Sequence, residues 1–386
     1  MAALAVMTCA GFSGYALLLT VAPLWAVEGG AGTAGSGLVN GVLLLFTVFT
    51  QLLVPRALER FGWGPVLVAG LAFMGVPGIA YGLSDGLAAI LGLSALRGIG
   101  FGVLTVTGSA AVAALVEPRR RGEAIGVYGL AVALPNLVLL PAGPWIAETF
   151  GFWWVFGLNA LPLLGIPAAL RLASTIHPTT SDGPAELADP LDADEAVLRH
   201  LLPPILLLLA VTLAGGAVIT FTPQAVDSPS VAAGGLFVMG LAAALSRWRA
   251  GVLADRHGAQ RFVVPMVALT GVGMAGVARA VAGSGNGGLF LAAMLLLGLC
   301  YGGLQNLTLL ISFAAVSRRH HNRASAYWNI GFDAGTALGS VAVGVIAELT
   351  SFTTAFLICG AIAAATLLAL RRPAPAPASR GPAPVD

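Results

Sequence analysis

Apolar residues run through this chain in long stretches, and each stretch ends at a cluster of turn-forming or charged residues. About 20 apolar residues at helical rise match the thickness of bilayer hydrocarbon. Twelve such runs can be marked, at 3–26, 34–54, 65–84, 87–115, 123–146, 151–172, 200–222, 230–247, 262–282, 286–315, 324–347 and 352–371. Each is predicted to be a helix, because hydrocarbon offers no partner to an open backbone.

Composition supports the same reading. The 386 residues are 58% hydrophobic and 9% charged, whereas soluble surfaces carry roughly 25–35% charged residues. The bilayer is the expected solvent, and a multi-pass protein of the cell membrane is the expected class. All 19 basic residues are Arg, which excludes lysine chemistry; the net charge of +2 says little about partners, and no nucleic-acid partner is expected. Cys9, Cys300 and Cys359 stand far apart in apolar stretches, so neither a metal cluster nor a disulfide framework is expected. The stretch 1–26 lacks a basic leading segment and is too long for a signal-peptide core, so it reads as a retained first span.

The arginines collect in alternate loops: Arg56 and Arg60; Arg119, Arg120 and Arg121; Arg171 and Arg199; Arg247, Arg249, Arg256 and Arg261; Arg318, Arg319 and Arg323; Arg371, Arg372 and Arg380. The positive-inside rule places these loops and both termini in the cytoplasm. The opposite loops carry Glu28, Asp85, Glu148, Asp227 and Glu348 with the single base Arg279. His320 and His321 read as solvated neighbours of Arg318 and Arg319, with no metal partner nearby.

A repeat divides the chain. Glu59-Arg60-Phe61-Gly62 answers Asp255-Arg256-His257-Gly258 at an offset of 196, and Gly98, Phe101 and Gly102 answer Gly298, Tyr301 and Gly302 at an offset of 200. The expected fold class is an all-α membrane protein, two pseudo-symmetric six-helix bundles at 1–172 and 200–371. A Pro- and acid-rich linker at 173–199 joins them, and a disordered Pro-Ala tail at 372–386 follows.

With Gly251-Val252-Leu253-Ala254-Asp255-Arg256-His257-Gly258, this organisation resembles the major facilitator superfamily and its Gly-x-Leu-Ala-Asp-Arg-x-Gly loop. The first-half copy departs from it, with Pro55 for the leading Gly and Glu59 for Asp. The resemblance implies that Gly251, Asp255, Arg256, Gly258, Glu59 and Arg60 form conformational-switch loops; charges that merely hold topology are the plainer alternative. Arg97-Gly98-Ile99-Gly100-Phe101-Gly102 is similar to the span-four motif with an intramembrane arginine. Span five carries Pro135 and Gly143-Pro144 but has Leu134 where the exporter motif places Gly before Pro. Asn329-Ile330-Gly331-Phe332-Asp333-Ala334-Gly335 resembles a string found in bacterial exporters of the superfamily.

Charge deep in a span is costly and marks a candidate site. Arg97 and Asp333 each lie about 10 residues from a span end, near mid-depth, and their repeat partners are Leu297 and Ala133, so the scaffold needs neither charge. Both are candidates for proton coupling. Polar stripes at helical spacing run through span two (Ser36, Asn40, Thr47, Gln51), span ten (Tyr301, Gln305, Thr308, Ser312) and span eleven (Asn329, Asp333, Thr336, Ser340). They are expected to line a central cavity, or else to bond helix to helix. Tyr15, Asn40, Phe101, Tyr301, Gln305 and Asn329 are the candidate cavity residues, with Trp328 as a further ring. On the other side of span eleven, Gly331, Gly335 and Gly339 form a stripe suited to packing. No catalytic or metal-binding motif and no cofactor site is expected.

The resulting expectation is a monomeric secondary transporter in membrane lipid, exporting a small amphipathic compound in exchange for protons. Uptake of a sugar or organic anion is the alternative, and a membrane sensor or embedded enzyme a distant third.

Overall fold

The computed structural model describes residues 1–115, 121–176, 194–282, 286–316 and 321–370. They form the helices α1 (Ala2–Glu28), α2 (Thr33–Phe61), α3 (Trp63–Ala80), α4 (Leu87–Leu115), α5 (Arg121–Phe150), α6 (Phe152–Leu158), α7 (Leu161–Leu164), α8 (Ile166–Thr175), α9 (Asp194–Ala225), α10 (Pro229–His257), α11 (Gln260–Val281), α12 (Gly287–Ala314), α13 (His321–Leu349) and α14 (Phe352–Leu370). Eleven segments are long and apolar enough to cross a membrane, α6 to α8 together making one; α14 adds a shorter apolar stretch, Phe352–Thr366. The tail at 372–386, most of the linker, and Arg119, Arg120, Arg318, Arg319 and His320 lie outside the described residues.

The sixth predicted span is broken twice. The Asn159 amide closes α6 by bonding back to the carbonyls of Val155 and Phe156, each at 3.1 Å. Pro162 and Pro167 then stand in the first turns of α7 and α8, where the missing N–H would have been unpaired anyway.

The two repeat offsets have a packing origin. A methyl group on Gly98 would overlap the Leu43 carbonyl, and one on Gly298 the Met239 carbonyl; Gly102 and Gly302 meet the carbonyls of Thr47 and Ala243 in the same way. Each glycine pair is 200 residues apart, and the backbone it presses on is 196 apart. Thus α4 lies on α2 as α12 lies on α10, and the pairing of α1 with α5 recurs as α9 with α13. Across the two sets, α2 packs on α13 and α5 on α10. The stripe of Gly331, Gly335 and Gly339 packs as expected, against Ile205, Leu209 and Leu213 of α9.

The predicted loops after spans two and eight are largely helix. α2 continues to Phe61 and α10 to His257, and each stops at a glycine with positive φ, Gly62 at 75° and Gly258 at 83°. Ala, Leu and Arg sustain a helix as well outside hydrocarbon as within it, so a drop in hydropathy does not mark the helix end.

Candidate functional site

Asp333 on α13 is 4% exposed and accepts a hydrogen bond of 2.8 Å from Gln51 Nε2 on α2. The same amide nitrogen donates to Thr105 Oγ1 of α4 at 3.2 Å. A carboxylate deep in the chain is therefore held from the other six-span set. Gln51 Oε1 has no protein partner, and the buried Gln305 amide lies beside the Tyr301 hydroxyl.

Aromatic rings flank this bond. On one side Tyr15 stacks flat on Phe101, with centroids 3.9 Å apart and planes 2° off parallel. On the other, Phe332 contacts Tyr301 at 6.2 Å and stacks on Trp328 at 5.8 Å, while Trp328 Nε1 donates to Thr308 Oγ1 at 3.1 Å. Tyr15 lies within coulombic range of Asp333 and Tyr301. Tyr15, Phe101, Tyr301, Gln305 and Asp333 thus gather in one place. Asn329 lies one turn from Asp333, half-buried, its Nδ2 bonded to the Ser325 carbonyl at 2.9 Å.

Asn40 does something else. It is fully buried, and its Nδ2 donates to the Leu19 carbonyl at 2.8 Å and to Thr220 Oγ1 of α9 at 2.9 Å. Thr220 pairs with Ser340 of α13 at 2.8 Å, Ser36 Oγ donates to Gln224 Oε1 at 3.2 Å, and the Ala34 amide donates to Glu348 Oε2 at 2.7 Å. The stripe expected to face a cavity is here a seam joining the two six-span sets. From Ala34 to Gln51 the seam covers about 25 Å of helix. Among the described residues no hydrogen bond crosses between the sets on the arginine-rich side of Gln51. The second contact, between α5 and α10, has Gly240 against Leu137, and among the described residues no hydrogen bond crosses it. One and two turns further toward the arginine-rich end, Leu134, Leu130, Ala244 and Arg247 are exposed.

Arg97 is not brought to Asp333. It is fully buried among helices of its own six-span set, with Nη2 donating to the Gly14 carbonyl at 3.0 Å and the guanidinium 5.7 Å from the Tyr81 ring centroid. Its Nε and Nη1 have no protein partner. Counting residues from a span end sets the depth of Arg97 but not which neighbour its side chain meets. Its link to the site runs through Tyr15, which is in coulombic range of both charges.

At the arginine-rich ends, Glu59, Arg60 and Arg256 are exposed, with Arg60 5.4 Å from the Phe61 ring centroid. Gly251 packs beside Asn306, whose Nδ2 donates to the Arg247 carbonyl at 2.5 Å. Asp255 belongs to α10, but its side chain lies outside the described residues. Sequence reasoning missed three residues: Gln51 as the partner of Asp333, Glu348 as a contact between the sets, and Arg247, counted as a loop base. The repeat carried a signal for one of them, since Glu148 and Glu348 end α5 and α13 at the same offset of 200.

A family profile described as the Major Facilitator Superfamily matches residues 3–246 and 226–386. The chain belongs to the Major Facilitator Superfamily. Along nearly its whole length it is similar to the staphylopine export protein of Staphylococcus aureus, 23% identical over 97% of this chain and 96% of the relative. Shorter matches join it to an uncharacterised transporter of the superfamily in Mycobacterium tuberculosis, 27% identical over 37% of this chain and 25% of that protein. The multidrug transporter protein MdtP of Bacillus subtilis is 25% identical over 39% of this chain and 28% of its own length. Among solved structures, the fold resembles the nucleoside transporter NupG, with a TM-score of 0.73 at 11% identity over 95% of this chain and 98% of that one. It also resembles a bacterial homologue of the lysosomal transporter Spinster in an inward-facing, occupied conformation, with a TM-score of 0.67 at 16% identity over 95% and 92%. As a superfamily member the chain is a multi-pass transporter of the cell membrane and not an enzyme.

Proposed function

We propose that this transporter is a monomer of twelve spans, with both termini and the arginine-rich loops in the cytoplasm. Two bundles, 1–172 and 200–371, rock about a central site and export a small amphipathic compound in exchange for protons. The observation that carries this reading is the Gln51–Asp333 bond. It ties an ionisable group at mid-depth to the opposite bundle, so a change in the protonation of Asp333 alters a contact between the bodies that must move. In this reading Asp333 exchanges the proton, the rings of Tyr15, Phe101 and Tyr301 with Gln305 receive the compound, and Arg97 adjusts Tyr15 from behind. The seam from Ala34 to Asn40 closes the outer side, which makes the conformation inward-facing. Export is favoured over uptake by the full-length similarity to an export protein and the partial similarity to a multidrug transporter.

The test is flux in proteoliposomes under an imposed pH gradient, screened over a compound panel with a pH-sensitive dye. Asp333→Asn is expected to abolish gradient-driven movement while leaving substrate-for-substrate exchange. Unchanged gradient-driven flux in that variant overturns the assignment, and accumulation driven by the opposite gradient replaces export with uptake.

A further inference from the structure

We propose that Arg247 is an anion subsite on the substrate path, so that the transported compound carries an acidic oxyanion group, a carboxylate, sulfonate or phosphate. The proposal rests on the transport reading and gives its substrate a chemical class.

Arg247 is not in a loop. It belongs to α10, which continues about three turns beyond it to His257. The lipid-facing stripe of this helix is marked by the exposed Leu241, Leu245, Trp248 and Val252, and at 100° per residue Arg247 points about 120° away from it. It shares its direction instead with Gly240, seven residues earlier, which packs on Leu137 of the opposite bundle. Its direction is therefore toward the gap between α10 and α5, the helix on which Leu130 and Leu134 are exposed. Arg249 and Trp248, with the guanidinium 5.1 Å from the ring centroid, supply the aromatic-cation anchor expected of a residue at the membrane surface, and Arg247 takes no part in it.

The surroundings of Arg247 favour a ligand. Asn306 fixes its backbone from α12. The neighbouring residue on α12, Gln305, is 1% exposed and lies beside the hydroxyl of Tyr301, one turn away, which is within coulombic range of the guanidinium. Among the described residues no carboxylate forms an ion pair with Arg247. A planar cation with an amide and a phenol hydroxyl beside it, on the side away from the outer seam, forms a set of donors suited to an oxyanion. Asp333 and the rings of Tyr301 and Phe332 would take the rest of the molecule.

The test is calorimetric binding to purified full-length protein, with no gradient present. The probes share phenyl, naphthyl and cyclohexyl skeletons and differ only in bearing a carboxylate, a primary amide or an ammonium group. Carboxylates are expected to bind best. Arg247→Gln should weaken them about tenfold and leave amides within about twofold, while Arg247→Lys should retain most of the carboxylate affinity. Arg247→Glu, a second variant at this exposed position, should turn the preference toward ammonium. Amides or ammoniums that bind wild type as tightly as carboxylates, no carboxylate binding at all, or an Arg247→Gln variant with unchanged carboxylate affinity would each overturn the subsite. Failure of the Asp333→Asn flux test leaves these affinities untouched, so the two proposals fail separately.

Discussion

The carboxylate of Glu348, near the end of α13, accepts a hydrogen bond from the backbone amide of Ala34 at the start of α2, 2.7 Å away. Helix N-termini carry unpaired N–H groups and partial positive charge, so a carboxylate placed there is both bonded and attracted. Because the partners belong to different six-span sets, this contact ties the two together at the acidic end of the molecule.

Glu348→Ala should therefore favour opening at that end. Loss of a charge-assisted bond at a helix terminus is worth about 1–2 kcal/mol, enough to shift a two-state population about five- to thirtyfold. Spin labels at Ala31 and Thr350 should show a longer-distance population in the variant; an unchanged distance distribution would show that Glu348 does not latch the two sets.

Gln51→Leu removes the donor to Asp333 and should lower gradient-driven flux about tenfold, the equivalent of about 1.4 kcal/mol. Substrate exchange should persist, because the rings of Tyr15, Phe101 and Tyr301 remain. Equal losses in both assays would mean that Gln51 serves substrate binding and not coupling.

Arg97→Lys tests the separation of the two buried charges. Lysine keeps the charge but not the forked reach from the Gly14 carbonyl to the Tyr81 ring, so the melting temperature and overall flux should fall while the pH profile of flux keeps its shape. A profile altered as in Asp333→Asn would join Arg97 to the proton step after all.

Gly302→Val sets a branched side chain against the Ala243 carbonyl and should cost about 1–3 kcal/mol, seen as an earlier melt in fluorescence-detected gel filtration. Gly92→Ala, at a helical position with nothing within 4 Å of the added carbon, should be neutral or stabilising. Matching losses from both would remove close packing of α10 and α12 as the cause.

Much of the architecture was legible because hydrocarbon imposes few solutions. Span length, alternate arginine loops and the two offsets follow from one-dimensional patterns. Asp333 was legible for the same reason, since a charge near mid-depth stands out in apolar sequence. Direction around a helix was not. Asn40 and Gln51 lie on one stripe of α2, yet one is sealed between α1 and α9 and the other reaches Asp333, and only three-dimensional packing distinguishes them. Arg97 had the right depth and an unforeseen set of neighbours. Arg247 stands where the apolar run ends but the helix does not, since α10 continues to His257. The breaks in the sixth span follow from Asn159, Pro162 and Pro167, which are individually tolerated within long helices elsewhere in this chain.

Two of the contacts between the six-span sets, α2 with α13 and α5 with α10, are unequal. Glu148 ends α5 as Glu348 ends α13, and Ser230 begins α10 as Ala34 begins α2. No bond among the described residues joins that second pair, and Glu148 lies instead within coulombic range of Glu28. Parting α2 from α9 and α13 means undoing a row of polar contacts one after another, like a zip. Parting α5 from α10 breaks side-chain packing, with Leu137 against Gly240, and no hydrogen bond among the described residues. The two edges are thus joined in different ways, a ladder of hydrogen bonds along α2 and side-chain packing between α5 and α10.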